Sequence, residues 1–309
     1  VGTDCNYHIF LLEYVFILFI LRSKTKYEKS YSQDIIIEVR EENQILHPSF
    51  SSLFVHPQSQ KPLLFYENTE EGKDILRYGY RPSGERWKNG FLWAEDAHDL
   101  YPVVDGIPVF VPPPDQTWGD ATEELRKERR MEISWERARK SLEEEPLLNE
   151  LSKRMAESGG LILDVGSGPG GGFVPMILHL NPGATILMND LGLCVLKEWR
   201  SLLRGKGISN ASFALFDARK MPLMSKSIDE IGDIAGFDNM SDSAKAIEEA
   251  YRVLKPGGWL FSINSMVKEK DFLILPEGLR KKWYNINPPC FDGYLEVFKR
   301  AGFEVDSHR

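Results

Sequence analysis

Between Leu161 and Gly172 the chain reads Leu-Ile-Leu-Asp-Val-Gly-Ser-Gly-Pro-Gly-Gly-Gly, and few folds accept such a stretch. The apolar run Leu161–Val165 is too short and too abruptly ended for a helix, so it predicts a buried parallel strand. Five glycines follow within the seven residues from Gly166 to Gly172. Glycine there admits positive φ and lets a ligand lie directly on the backbone. Phe173–Leu180 then predicts a short helix, with Pro175 tolerated in a first turn whose N–H groups have no internal partner. Strand, glycine turn and helix together specify a nucleotide-sized ligand site at the carboxyl edge of an α/β sheet.

The pattern repeats downstream. After the turn Asn181-Pro182-Gly183, Ala184–Asn189 predicts a second strand ending in Asp190, 26 residues beyond Asp164 and so one helix away. An acid at that place is positioned to accept hydrogen bonds from both hydroxyls of a ribose. Leu191–Arg204 predicts a helix closed by Gly205 and Gly207. Ala211–Phe216 predicts a third strand, followed by Asp217-Ala218. Ile228–Ile234 predicts a fourth, weakened by Asp229, Glu230, Gly232 and Asp233. Ser241–Leu254 predicts a helix with Ser241 as its N-cap, and Pro256-Gly257-Gly258 stops it and turns the chain into the strand Trp259–Asn264. Asn287-Pro288-Pro289-Cys290 reads as a turn ahead of a helix over Phe291–Ala301, and Gly302–Asp306 as strand six. The fold class is α/β, a doubly wound and mostly parallel sheet of Rossmann-like form.

A dinucleotide fingerprint spaces its glycines as Gly-x-Gly-x-x-Gly. Here Asp164, Gly166, Gly168 and Gly170 give Asp-x-Gly-x-Gly-x-Gly, which resembles motif I of the class I S-adenosylmethionine-dependent methyltransferases. Arg252-Val253-Leu254-Lys255-Pro256-Gly257-Gly258 resembles their helix-to-strand-five turn, and the resemblance covers about Leu161–Val305. It implies S-adenosyl-L-methionine as cofactor, with Asp164 helping to hold its amino-acid end and Gly166, Ser167, Gly168 and Gly170 making room for it. Asp190 and Leu191 at the second strand belong to the same implied site. Asp217 is implied to accept from the adenine amino group, and the backbone of Ala218 to serve the ring. The reaction implied is methyl transfer by in-line displacement, to an acceptor left open among RNA, protein and small molecules. Alignment and exclusion of water supply much of the acceleration of such a step, so a strong base is not required. The candidates for a catalytic role are Asp238 and Asn239 after strand four and Asn264 at the end of strand five. A non-catalytic relative acting as scaffold or partner subunit is a second reading. A dehydrogenase using NAD is a third, opposed by the glycine spacing and by Asp217-Ala218.

The chain divides at 1–32, 33–115, 116–157 and 158–309. Ile9–Leu21 is apolar apart from Glu13 and is followed by Arg22, Lys24, Lys26 and Lys29. It is shorter than the ~20 residues of a spanning helix, and its charges follow the apolar run, opposite to a signal peptide. Three readings stay open for it: an extraneous extension, a docked helix or strand, and a membrane anchor, the last disfavoured. Asp34–Leu46 alternates as a strand does. Residues 33–115 form a small β-rich unit, and Asp105-Gly106 between two β-branched runs is a hairpin signal. The segment Leu100–Pro112, with its Tyr-Pro-Val-Val-Asp-Gly-Ile-Pro, resembles the end of small zinc-ribbon-like methyltransferase-activator subunits. Their first metal-binding pair would fall near His56–Ser59, where cysteines are absent, and one histidine cannot supply four ligands; no metal is expected. Pro112–Pro114 stiffens the exit. Asp120–Glu157 predicts two amphipathic helices broken at Pro146, with stripes through Leu125, Ile133 and Trp135, then Leu147, Leu148, Leu151 and Met155. The family resemblance makes Trp118 or Trp135 a candidate lid over the cofactor.

The 309 residues leave room for two domains. With a net charge of −8 and a pI of about 5.4 the chain lacks the broad basic surface of a general nucleic-acid binder. Its three cysteines, Cys5, Cys194 and Cys290, form no Cys-x-x-Cys pair and fit a reducing cytoplasm. Only four residues follow Val305, too few for the seventh strand that this family slots between strands five and six. The sequence therefore predicts a chain cut short at its end, as its Met-less start suggests for the other; alternatively Ile35–Val39 or a partner molecule fills the gap.

Overall fold

The computed structural model of the chain describes residues 15–23, 50, 52–66, 90–93, 99–112, 115–266 and 291–308. Strand β1 (Val15–Ser23) comes first. A small antiparallel sheet follows, made of β2 (Leu64–Tyr66), β3 (Phe91–Trp93), β4 (Tyr101–Val104) and β5 (Ile107–Pro108). Asp105 and Gly106 turn β4 into β5 with φ of 51° and 73°, the paired left-handed conformation that Asp-Gly supplies to a two-residue hairpin. Helices α1 (Thr122–Lys127), α2 (Arg130–Glu144) and α3 (Pro146–Glu157) then lead to the repeating unit. Three helices stand where two were expected, because Arg129 adopts a left-handed φ of 49° and cuts the segment a second time. The face that α2 buries is Met131, Trp135, Ala138 and Leu142, so Ile133 points outward, 52% exposed. The expected strand Asp34–Leu46 and the turn Asn287–Cys290 lie outside the described residues.

The repeating unit runs β6 (Leu161–Asp164), α4 (Val174–Leu180), β7 (Thr185–Asp190), α5 (Leu193–Gly205), β8 (Ala211–Leu215), β9 (Ile228–Ile234), α6 (Ser243–Val253) and β10 (Leu254–Met266). Helix α7 (Phe291–Ala301) and strand β11 (Phe303–His308) follow. The seven-stranded sheet has the order β11-β1-β10-β9-β6-β7-β8. Its five strands from β10 to β8 are parallel, and β1 is antiparallel to both of its neighbours. Side chains alternate across the sheet, as the two-residue period demands. Ile162, Ile186, Met188, Phe213 and Phe261 pack with α1 to α5, whereas Leu163, Leu187, Ala214 and Leu260 pack with α6 and α7. Helices on both faces make the sheet doubly wound.

Strand β9 keeps its place with two of its three acids held by hydrogen bonds. Asp229 accepts from the Leu161 backbone N–H at 2.9 Å and from Lys255 Nζ at 2.8 Å. Asp233 is wholly buried and accepts from Gly236 N–H, Phe237 N–H and Ser262 Oγ–H at 2.8, 3.0 and 2.5 Å. At the head of α6 the cap is Asp242, whose carboxylate accepts from Lys245 N–H; Ser241, expected there, instead accepts from Arg219 at 2.7 Å.

The slot between β10 and β11 is filled, and from an unexpected quarter. Strand β1 pairs with β10 from Val15–Met266 to Arg22–Trp259 and with β11 from Phe19 to Ser23. Of the three readings left open for the apolar stretch, the docked strand is the one that Val15–Leu21 takes, within β1, and it occupies the gap assigned above to Ile35–Val39 or a partner molecule. Among the described residues no helix is long and apolar enough to cross a membrane.

The small unit closes the opposite edge. Val109 bridges Leu215 in parallel, and Phe110 N–H donates to the Leu215 carbonyl at 2.8 Å. Phe54 bridges Leu223, and Met224 N–H donates to the Leu53 carbonyl. Strand β8 therefore exposes less of the unpaired edge that invites aggregation. Phe50, Phe54, Leu63, Leu92 and Val103 share one core with β6 and α6. His56 is spoken for within this unit: Nε2 meets Asp99 at 3.1 Å and Nδ1 meets Ser59 at 3.0 Å.

Candidate active site

The carboxyl ends of β6, β7, β8 and β9 open on one cavity of about 740 Å3, well within the ~300–1,000 Å3 of small-molecule sites. The glycine turn forms its floor. Gly166 and Gly168 take φ of 63° and 57°. A Cβ on Gly170 would meet nothing within 4 Å, so backbone faces open space there.

Asp164 lies under this turn rather than in the cavity. It is fully buried; Oδ2 accepts from Ser167 Oγ–H at 2.6 Å and Oδ1 from Phe173 N–H at 3.0 Å. Burial raises its pKa to about 7, against the lowering effect of those two hydrogen bonds. The acid implied to hold a ligand thus holds the loop. Beside it two further N–H groups are paired internally, Gly171 N–H with the Ser167 carbonyl and Val174 N–H with the Gly171 carbonyl. The start of α4 therefore carries a carboxyl where a dinucleotide fold offers bare N–H groups to a pyrophosphate.

Asp190, at the end of β7, lines the cavity and is 7% exposed. Its Oδ2 accepts from Gly168 N–H at 2.8 Å and Oδ1 from Gly192 N–H at 2.7 Å. Each carboxylate oxygen retains a second lone pair for a ligand hydroxyl. Burial pushes its pKa up, while the hydrogen bonds from Gly192 and Gly168 pull it down less strongly. Trp199, buried on α5, donates from Nε1 to the Gly168 carbonyl at 3.0 Å and fixes the turn from below.

Asp217 and Ala218 follow β8 and reach the same cavity. Arg219 grips the Asp217 carboxylate, with Nε at 2.9 and 3.0 Å and Nη2 at 2.7 Å, and spans to Ser241 Oγ through Nη1. Burial alone would raise Asp217, but the Arg219 hydrogen bonds and charge outweigh it and hold the carboxyl below its ordinary range. It stays an ionised acceptor.

The structure thus brings Gly166, Ser167, Gly168, Gly170, Asp190, Leu191, Asp217 and Ala218 to one cavity and leaves Asp164 beneath it. Of the catalytic candidates, Asn239 lines the cavity, whereas Asp238 does not and is buried. Asn264 faces inward, donating to Ser262 Oγ at 2.7 Å within a fully buried cluster, and has no place at the site. Trp118 stands at the mouth with φ of 65°, half exposed, fixed by Thr117 N–H on the Leu191 carbonyl. Trp135, the other lid candidate, is buried against His179 instead. Arg219, Met240 and Ser241 also line the cavity and were missed. A cation two residues after a strand-end acid is a local pairing that the sequence could have revealed for Arg219.

Residues 148–275 match the model of the ubiE/COQ5 methyltransferase family. The ubiquinone/menaquinone biosynthesis C-methyltransferase UbiE of Marinomonas sp. (strain MWYL1) is 29% identical over 124 residues, 40% of this chain and 49% of that protein. The UbiE of Pseudomonas paraeruginosa (strain DSM 24068 / PA7) is 34% identical over 108 residues, 35% of this chain and 42% of its own. The chain thus spans less than half the length of these curated relatives. A Haemonchus contortus phosphoethanolamine N-methyltransferase 2, solved with S-adenosyl-L-methionine, is 21% identical with a TM-score of 0.43, covering 51% of this chain and 36% of that one. On its fold and its family match, the segment 148–275 is a class I S-adenosylmethionine-dependent methyltransferase domain.

Proposed function

We propose that the whole chain transfers the methyl group of S-adenosyl-L-methionine to a ring carbon of a small quinone precursor. The observation that carries the cofactor half is the glycine turn: its open backbone face and the adjoining Asp190 and Asp217 suit a nucleoside. The carboxyl of Asp164 takes Phe173 N–H, one of the donors that a dinucleotide fold turns toward a pyrophosphate. The cofactor supplies an electrophilic methyl on a sulfonium, so the chain's task is to align and to exclude water. Asp190 offers two oxygens already fixed by Gly168 and Gly192. Asp217 offers a carboxylate kept ionised by Arg219. The cavity lining includes Trp118, Ile234 and Met240, apolar side chains that favour a flat apolar acceptor over a charged polymer.

The acceptor half rests on those side chains and on the relatives, which are named for C-methylation in quinone biosynthesis. Incubating the protein with methyl-labelled cofactor and demethylated quinone precursors tests it. Label in the ring with release of S-adenosylhomocysteine is expected. A protein that binds the cofactor but labels only RNA or protein contradicts the acceptor class.

A further inference from the structure

A second cavity, of about 500 Å3, lies where the β4–β5 turn meets α1 and α5. Its walls carry four cations, Arg126, Lys197, Arg200 and Arg204, against two carboxylates, Asp105 and Glu198. That is a surplus of two positive charges on a chain whose net charge is −8. Its lining residues include no apolar one, and Thr122 and Ser201 complete the wall.

The carboxylates are already committed. Glu198 takes Arg126 at 2.6 Å, and Asp105 takes Lys197 at 2.6 Å. Arg200 is left over: among the described residues it makes no hydrogen bond or ion pair of its own. Its guanidinium is wedged against Gly106 at the hairpin turn, so that a Cβ there would collide with Nη2. Burial, and then the charge of Arg204, bring Arg200 down to about 10, with Asp105 opposing them only in third place. Attraction by helix carbonyls accounts for Arg204, in the last turn of α5, but that effect fades within a turn and does not reach Lys197 or Arg200. Half-burying a guanidinium beside a second one is costly unless an anion joins them.

We propose that this cavity binds a phosphate group, held by Arg200 and Arg204 with the hydroxyls of Thr122 and Ser201. Planar guanidinium forks suit tetrahedral oxyanions, and hydroxyl donors complete the shell. The site is bounded on α5 by residues from Lys197 to Arg204. It joins the small unit to the methyltransferase domain, so a bound phosphate would tie the hairpin to α5.

Calorimetric titration of the full chain with inorganic phosphate, at fixed ionic strength set by chloride, tests the proposal. Saturable binding is expected, weakened at least tenfold in Arg200→Gln. The exposed Arg204→Gln gives the same reading should the more buried Arg200→Gln fail to fold, and S-adenosylhomocysteine affinity, unchanged in both, reports the fold separately. A short single-stranded RNA added in competition distinguishes the source. Displacement of phosphate by RNA, lost in the same variants, puts the phosphate on a nucleic-acid backbone, whereas no displacement assigns the site to a small phosphorylated ligand. Absence of saturable phosphate binding in protein that binds S-adenosylhomocysteine overturns the proposal. So does a phosphate affinity unaltered by the substitution.

Discussion

Three buried acids of the main sheet, Asp164, Glu230 and Asp233, make an unusual demand on pH. Burial raises Asp233 to about 8, Asp164 to about 7 and Glu230 to about 7, in each case as the largest effect. An unfolded chain releases these protons near pH 4, so between there and pH 7–8 the folded state holds more protons than the unfolded one. Stability must then fall as pH rises across that window, by at most about 1.4 kcal/mol per pH unit for each group. Asp233→Asn separates the contribution of one. Asparagine keeps an oxygen that accepts from Gly236 and Phe237 N–H and puts its neutral amide beside Ser262 Oγ, whose hydroxyl donates to Asp233 in the parent. Urea unfolding at pH 5, 6, 7 and 8 should show a shallower decline for the variant and a gain over the parent at pH 8. Parallel curves would remove Asp233 from this account. At this scale the sequence was half legible. Asp190 and Asp217 stand at strand ends where acids face ligands, but whether Asp164 points up or down depends on Ser167 and Phe173, which spacing does not reveal.

Elements form where local chemistry and tertiary need agree, and the glycine turn shows how narrowly. Gly172 has φ of 54°, and a Cβ there would fall on the Asp164 carboxylate. Gly170 has no such constraint and faces open space. Gly172→Ala should cost on the order of 1–3 kcal/mol from backbone strain alone, with more from the collision. Gly170→Ala should stay within about 0.5 kcal/mol. Chemical denaturation of the two variants checks this, and equal losses would contradict the loop geometry. The parallel strands, the hairpin and the turn into β10 could be read in advance because periodicity and turn residues are local signals. The break at Arg129 could not, since nothing about an arginine announces a positive φ. Likewise Ser241 and Asp242 are both good caps, and the contact between Ser241 and Arg219 across the cavity decides between them.

Across the whole molecule the sheet is completed by residues from outside the repeating unit, β1 between β10 and β11 and the Val109–Phe110 segment along the β8 edge. A docked strand was one reading of Ile9–Leu21, but the partners of neither segment could be foreseen: both are pairings between residues far apart in sequence, and Ile9–Leu21 carries no alternation to name a partner. Deleting residues 1–23 should uncover the facing edges of β10 and β11. Lower thermal stability and concentration-dependent association in light scattering are expected, and a monomer of unchanged melting temperature would deny β1 its place. The central claim, that the cavity at the strand ends holds S-adenosyl-L-methionine, is tested most directly by titrating the folded chain with S-adenosylhomocysteine and with NAD. Saturable binding of S-adenosylhomocysteine alone is expected, weakened by roughly 1–3 kcal/mol in Asp190→Ala as buried hydrogen-bonding groups lose their partner. Binding of NAD, or no binding of S-adenosylhomocysteine by protein that remains folded, would contradict it.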